Sequence, residues 1–191
     1  MTADAVRCWP TADSLYQAYH DEEWGRPVRD ERGLYERLCL EGFQSVLSWL
    51  TILRKRDAFR AGFAGFDPEL VARFDERDVE RLLGDAGIVR HRGKIEAAIA
   101  NARATLELRE GGEPLPELFW AHAREASPAP RSTADWVSTT PESVALAKRL
   151  RSAGFRFVGP TTVYAAMQAC GIVNDHLAGC WIRADVERAR A

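Results

Sequence analysis

The sequence predicts an all-α fold. Three observations carry that expectation. Apolar residues recur at three- and four-residue steps through most of the chain, runs of Val, Ile and Thr with strand character are short, and helix-start and helix-stop residues fall at fitting intervals. In chain order, helices are expected at 13–22, 30–41, 45–62, 68–73, 76–85, 93–109, 116–123, 141–152 and 161–171. The first carries Tyr16, Tyr19 and His20 on one face, at i, i+3 and i+4. The second aligns Leu34, Leu38 and Cys39 and ends in Leu40-Glu41-Gly42-Phe43. The third holds the longest apolar run, Val46 to Leu53, broken by Ser48 and Thr51. Asp67-Pro68-Glu69 opens the fourth with a capping side chain, a proline suited to the first helical position and an acid for the positive helix end. Val79, Leu82 and Leu83 make the face of the fifth, which stops before Gly87. Ile95, Ala98, Ile99 and Ala102 make that of the sixth, which stops at Gly111. The seventh lies between two Gly-, Pro- and Ser-rich loops, Arg109–Pro116 and Glu125–Thr133. Thr140-Pro141-Glu142 opens the eighth, Gly154 closes it, and the ninth places Cys170 on an apolar face. Residues 1–5 and 184–191 are expected to be loose ends.

Composition narrows the class. A chain of 191 residues with 46% apolar content can bury one core, so a single domain over 1–191 is expected, ordered from about 7 to 181. The formal net charge is -2, so any nucleic-acid surface must be local. The run from Val46 to Leu53 is far short of the about 20 residues that span a bilayer, and residues 1–10 lack a secretory pattern. A cytoplasmic protein with no membrane partner is expected, in which four cysteines serve as thiols or metal ligands.

Three groups of residues can carry chemistry. Cys8 and His20 lie near one end, His176 and Cys180 near the other, the second pair at i, i+4. Two thiolates and two imidazoles make a closed tetrahedral set of the kind that holds a structural zinc. On spacing alone the set reads equally well as unconnected core thiols and imidazoles. Cys39 and Cys170 read as small core residues. The second group is aromatic and acidic: Tyr16, Tyr19, Glu41 and Trp49. It can form a base pocket, with π faces, phenols and one carboxylate, or it can be core aromatics beside a surface acid. The third is the turn Ile88–Gly93 before the sixth helix, where Arg90, His91, Arg92 and Lys94 surround a helix start suited to phosphate. With 23 Arg and 3 Lys in the chain, a solvated turn would also collect such residues.

Several stretches together resemble one known family. They are Leu15-Tyr-Gln-Ala-Tyr-His-Asp-Glu-Glu-Trp-Gly25, Leu38-Cys-Leu-Glu-Gly-Phe-Gln44, Leu47-Ser-Trp49, Asp85-Ala-Gly-Ile-Val-Arg-His-Arg-Gly-Lys-Ile95, Phe157-Val-Gly159 and Met167-Gln-Ala-Cys-Gly-Ile-Val-Asn-Asp-His176. From about residue 7 to 181 the chain resembles the DNA-3-methyladenine glycosylase I family of helix-hairpin-helix glycosylases. The resemblance implies a monofunctional base-excision repair enzyme that releases 3-methyladenine from double-stranded DNA, and a monomer is expected. It also implies a structural zinc joining the termini through Cys8, His20, His176 and Cys180. Glu41, Tyr16, Tyr19 and Trp49 match the family's base pocket, with Glu41 nearest the chemistry. Leu47 and the hairpin residues Arg90, Arg92, Gly93 and Lys94 match its DNA contacts.

The physics suits that assignment. N3-methylation makes the adenine cationic, so π faces and a carboxylate prefer it over neutral adenine, and its weakened pairing eases extrusion. There is no Asp between Asp85 and Asp135, whereas most helix-hairpin-helix relatives place one soon after the hairpin. Recognition then carries more of the work. Val46 stands where the family generally has glycine, Phe43 where a polar residue occurs, and the segment after Cys8 is one residue shorter than usual. Two rivals follow: a zinc-stapled DNA-binding module without catalysis, and a glycosylase-lyase acting through Lys94.

Overall fold

The computed structural model describes residues 6–123 and 129–190. Among them are ten α-helices and no strand: α1 (Ser14–Glu22), α2 (Glu31–Gln44), α3 (Trp49–Gly62), α4 (Pro68–Val71), α5 (Glu76–Gly84), α6 (Arg92–Glu110), α7 (Leu115–Trp120), α8 (Pro141–Ser152), α9 (Pro160–Ala169) and α10 (Arg183–Arg190). None is long and apolar enough to cross a membrane. The loose end expected at residues 1–5, and residues 125–128 of the expected 125–133 loop, lie outside the described residues.

Most helix starts carry a capping side chain, whereas α7 and α9 open on a proline in the first turn without one. Asp13 accepts from the Tyr16 amide at 3.0 Å, Asp30 from Gly33 at 2.7 Å and Asp67 from Glu69 at 2.9 Å. Thr140 and Ser143 form a reciprocal capping box on α8. Capping also explains the main boundary difference. The third helix begins at Trp49 and not at residue 45, because Ser48 caps it through the Thr51 amide at 3.2 Å. Residues 45–48 instead turn, with Leu47 N–H donating to Gln44 O at 2.6 Å and Val46 at φ +67°. The second helix runs three residues past its expected end, placing Glu41 inside its last turn.

Helix α2 is the central element. It packs on α9, α6, α3 and α7, and Leu34, Tyr35, Leu38, Leu40 and Phe43 are all buried. Burial on nearly every side explains why its sequence shows no sharp polar face. The Tyr35 hydroxyl is satisfied by Ala98 O at 2.9 Å. Phe43, Phe59, Phe63 and Phe66 continue the core as a run of ring contacts. A second apolar cluster gathers Cys8, Tyr19, Trp24, Leu53, Cys180, Ile182 and Val186. Trp49 packs against both clusters, so the seam between them lies at the start of α3.

The expectation of a loose end from residue 184 is corrected by α10. Val186 is fully buried, and the Arg190 guanidinium donates to Gly171 O at 2.7 Å and Ile172 O at 2.8 Å. Those contacts are long-range and leave no local periodic signal of their own.

Candidate active site

The two ends of the fold meet at a cluster of thiols and imidazoles. The ligand atoms of Cys8, His20, His176 and Cys180 all lie within 4.8 Å of one another, and all four residues are buried. Cys8 Sγ is 3.3 Å from His176 Nδ1, and Cys180 Sγ is 3.5 Å from both His176 Nδ1 and His20 Nε2. Four such ligands at ordinary zinc bond lengths and tetrahedral angles would sit about 3.5 Å apart. The set can therefore hold a metal ion. The opposite ring nitrogens are engaged: His20 Nδ1 with Asp21 at 2.8 Å and His176 Nε2 with Trp24 O at 2.9 Å. Arg7 in turn grips Asp21 through two nitrogens. Such outer contacts fix the rings and free Nε2 of His20 and Nδ1 of His176 to point inward. Gly25, at φ +81°, lets the backbone pass the His176 ring, where a Cβ would lie 3.0 Å from Nε2.

His20 ends the face of α1 that carries the tyrosines, so this cluster also sets the wall of a neighbouring cavity. That cavity, about 240 Å³, is lined by Trp9, Tyr16, Tyr19, Trp24, Glu41, Gln44, Trp49, Trp136, Ala165 and Gln168. The structure thus brings together Tyr16, Tyr19, Glu41 and Trp49 from three helices. Tyr19 and Trp49 have ring centroids 5.3 Å apart, and Trp9 and Tyr16 5.1 Å apart. Trp9, Trp24, Trp136 and Gln168 were missed as cavity residues by reasoning from spacing. Trp9 follows a candidate ligand, which is a usable signal. Trp136 comes from a loop, and no periodicity points to it.

Glu41 dominates the electrostatics. It is 6% exposed, and its carboxylate accepts no hydrogen bond and forms no ion pair among the described residues. Burial alone pushes its pKa up to about 8. Burial also raises Tyr16 and Tyr19, with Glu41 adding to both. A buried acid among aromatic faces, without a cationic partner, is suited to a ligand that supplies the charge. Cys39 and Cys170 are buried thiols raised to about 12, inert core residues as expected.

The turn between α5 and α6 places its basic residues unevenly. Arg90 is exposed and forms no ion pair among the described residues. Arg92 is held by Glu76 at 2.6 Å and by Glu80, because its side chain leans back over α5. Lys94 departs further from the expected DNA-facing position: its Nζ points inward, donating to Phe43 O at 2.9 Å and Ser45 O at 3.0 Å. A lysine stem four carbons long, leaving the first turn of α6, reaches the otherwise unsatisfied carbonyls at the end of α2. Gly93 lies between, and a Cβ there would be 3.3 Å from the His91 ring. Exposed apolar side chains crowd the same side: Val46, Leu47 and Phe157, whose ring meets His91 edge-on.

Residues 9–184 match the model of the methyladenine glycosylase family. The chain belongs to the methyladenine glycosylase family. It is 50% identical over 177 residues to the DNA-3-methyladenine glycosylase 1 of Escherichia coli strain K12, covering 91% of this chain and 95% of that protein. A crystal structure of a 3-methyladenine DNA glycosylase I superposes with a TM-score of 0.89 at 50% identity, covering 92% of this chain and 98% of the other. The glycosylase I from Staphylococcus aureus, solved to define its recognition of 3-methyladenine, superposes with a TM-score of 0.87 at 33% identity, covering 91% and 93%. The all-α methyladenine glycosylase fold is thereby established.

Proposed function

We propose that this protein is a base-excision repair glycosylase that hydrolyses the N-glycosidic bond of 3-methyladenine in double-stranded DNA, releasing the free base and leaving an abasic site. The observation that carries the reading is Glu41, a buried carboxylate without a partner in an aromatic cavity. Membership of the family, and the activity for which its relatives are named, support it.

In this reading the extruded base enters between Tyr19 and Trp49 on one side and Trp9 and Tyr16 on the other. Its positive charge faces Glu41 and the ring faces, where low dielectric strengthens the attraction. Breaking the C1′–N bond returns the electron pair to the base, which leaves neutral, while water adds to C1′ and loses a proton. The leaving group is already cationic, so the protein's part is to extrude, select and hold it. Glu41 is the residue nearest that chemistry.

Cys8, His20, His176 and Cys180 would hold zinc as a structural ion, since all four positions are filled by protein and none is open to substrate. The α5–turn–α6 unit serves as the helix-hairpin-helix element. Arg90 and the backbone at Gly93 approach the phosphates, Leu47 enters the gap left by the flipped base, Arg92 braces the turn against α5, and Lys94 supports it from within. The protein works as a one-domain monomer in the cytoplasm. Incubation with methylated duplex DNA, followed by chromatography of the released bases, tests the reading. Free 3-methyladenine is expected, and no release at stoichiometric protein would leave a DNA-binding module without catalysis.

A further inference from the structure

Gln168, on α9, lines the same cavity as Glu41. Its Nε2 donates to Asp175 Oδ2 at 2.7 Å. The same oxygen accepts the Tyr164 hydroxyl at 2.7 Å, and Trp136 Nε1 donates to the Asp175 backbone carbonyl at 2.9 Å. Asp175 is buried, so its carboxylate is a fixed acceptor held from two sides. An amide beside such an acceptor has one favourable orientation, nitrogen toward the carboxylate. The other amide atom, Oε1, accepts no hydrogen bond among the described residues and is not sealed from solvent.

We infer that Gln168, oriented by Asp175, is a specificity-determining residue whose Oε1 accepts from the exocyclic amine of the bound base. The inference rests on the proposed glycosylase reading. Glu41 attracts any cationic purine, methylated adenine or methylated guanine alike, because charge does not distinguish them. A neutral carbonyl of fixed direction does. At position 6 adenine offers it an amine, whereas guanine, whose amine is at position 2, offers a carbonyl whose lone pairs face those of Oε1. A site built to receive a donor rejects a ligand lacking it by leaving buried groups unpaired. Asp175 is then a positioning residue, acting through Gln168 and through Trp136 on the cavity wall.

The test compares release of 3-methyladenine and 3-methylguanine from the same methylated DNA. For Gln168→Leu, the ratio of the two kcat/KM values is expected to fall about tenfold, chiefly by loss on 3-methyladenine. Asp175→Leu removes the acceptor, so the amide loses its fixed direction and can turn Nε2 toward the cavity. The ratio should fall further, with release of 3-methylguanine rising in absolute terms. An unchanged ratio in Gln168→Leu, whether both rates hold or both drop together, overturns the inference. The Gln168→Leu result decides the matter even if Asp175→Leu fails to fold, because residue 168 is a partly exposed wall position. Wild-type protein that releases no base would instead remove the underlying reading.

Discussion

The ammonium of Lys94, in the first turn of α6, donates to the carbonyl oxygen of Ser45 at 3.0 Å. With the Phe43 carbonyl at 2.9 Å, this ties the hairpin helix to the turn that exposes Val46 and Leu47. The two surfaces expected to meet DNA are therefore one rigid piece. Lys94→Met removes both bonds and leaves two carbonyls short of donors. A stability loss of about 2 kcal/mol in denaturant titration is expected, with base release reduced more than tenfold. Burial lowers the Lys94 pKa, yet its amine faces protein carbonyls. Borohydride treatment with abasic DNA should trap no adduct; an adduct at Lys94 would establish the lyase rival.

Glu41 titrates where activity can be measured. Its pKa of about 8, against an ordinary 4.5, means the folded protein retains a proton that the unfolded chain has lost between those values. Stability is thus expected to fall as pH rises across that window and to level off above it. Glu41→Gln should match the parent near pH 4 and exceed it in thermal midpoint at pH 8.5. The parent's kcat/KM should rise toward pH 8 as the carboxylate ionises to meet a cationic base, while the Gln variant stays low and flat. Parallel profiles for the two proteins would assign the titration elsewhere.

Metal analysis should find one zinc per chain, and Cys180→Ala should lose it. Because the ligands join positions 8 and 180, binding closes a chain-long loop, and its loss should cost about 3 kcal/mol, a midpoint lower by about 10 °C. Substoichiometric zinc in protein of full stability would contradict the structural role.

Val46 combines full exposure with a φ of +67°, a conformation that a β-branched residue adopts only under strain. Val46→Gly should raise stability by about 1 kcal/mol. The same change should weaken binding to duplex containing an abasic site, measured by fluorescence anisotropy, because an apolar surface beside Leu47 is lost. Stronger binding by the glycine variant would show that Val46 hinders the duplex.

Several helix starts were legible because they depend on a side chain a few residues away, as with Asp67 on the Glu69 amide. The metal-ligand set was legible as residue types, but spacing could not join Cys8 to His176, which only the tertiary fold brings to 3.3 Å. Lys94 reads as a surface cation beside Arg90 and Arg92, and nothing local says that its stem turns inward toward α2. Arg190 is similar: its partners, Gly171 and Ile172, are specified by how the last helix docks. Trp136 reaches the cavity from an irregular segment, where no repeat fixes the direction of a side chain.

The contact between Cys8 and His176 also bears on the order of events during synthesis. A ribosome makes Tyr16, Tyr19 and His20 long before His176 and Cys180, the partners that complete the cluster at the end of their helix. The central helices can assemble while translation continues, with α1 packed on α3, but the end of the aromatic wall that meets the cluster stays open until residue 180 has been made. Nascent chains stalled short of residue 176 would thus carry the turn between α5 and α6 beside an aromatic cavity whose wall is not yet closed.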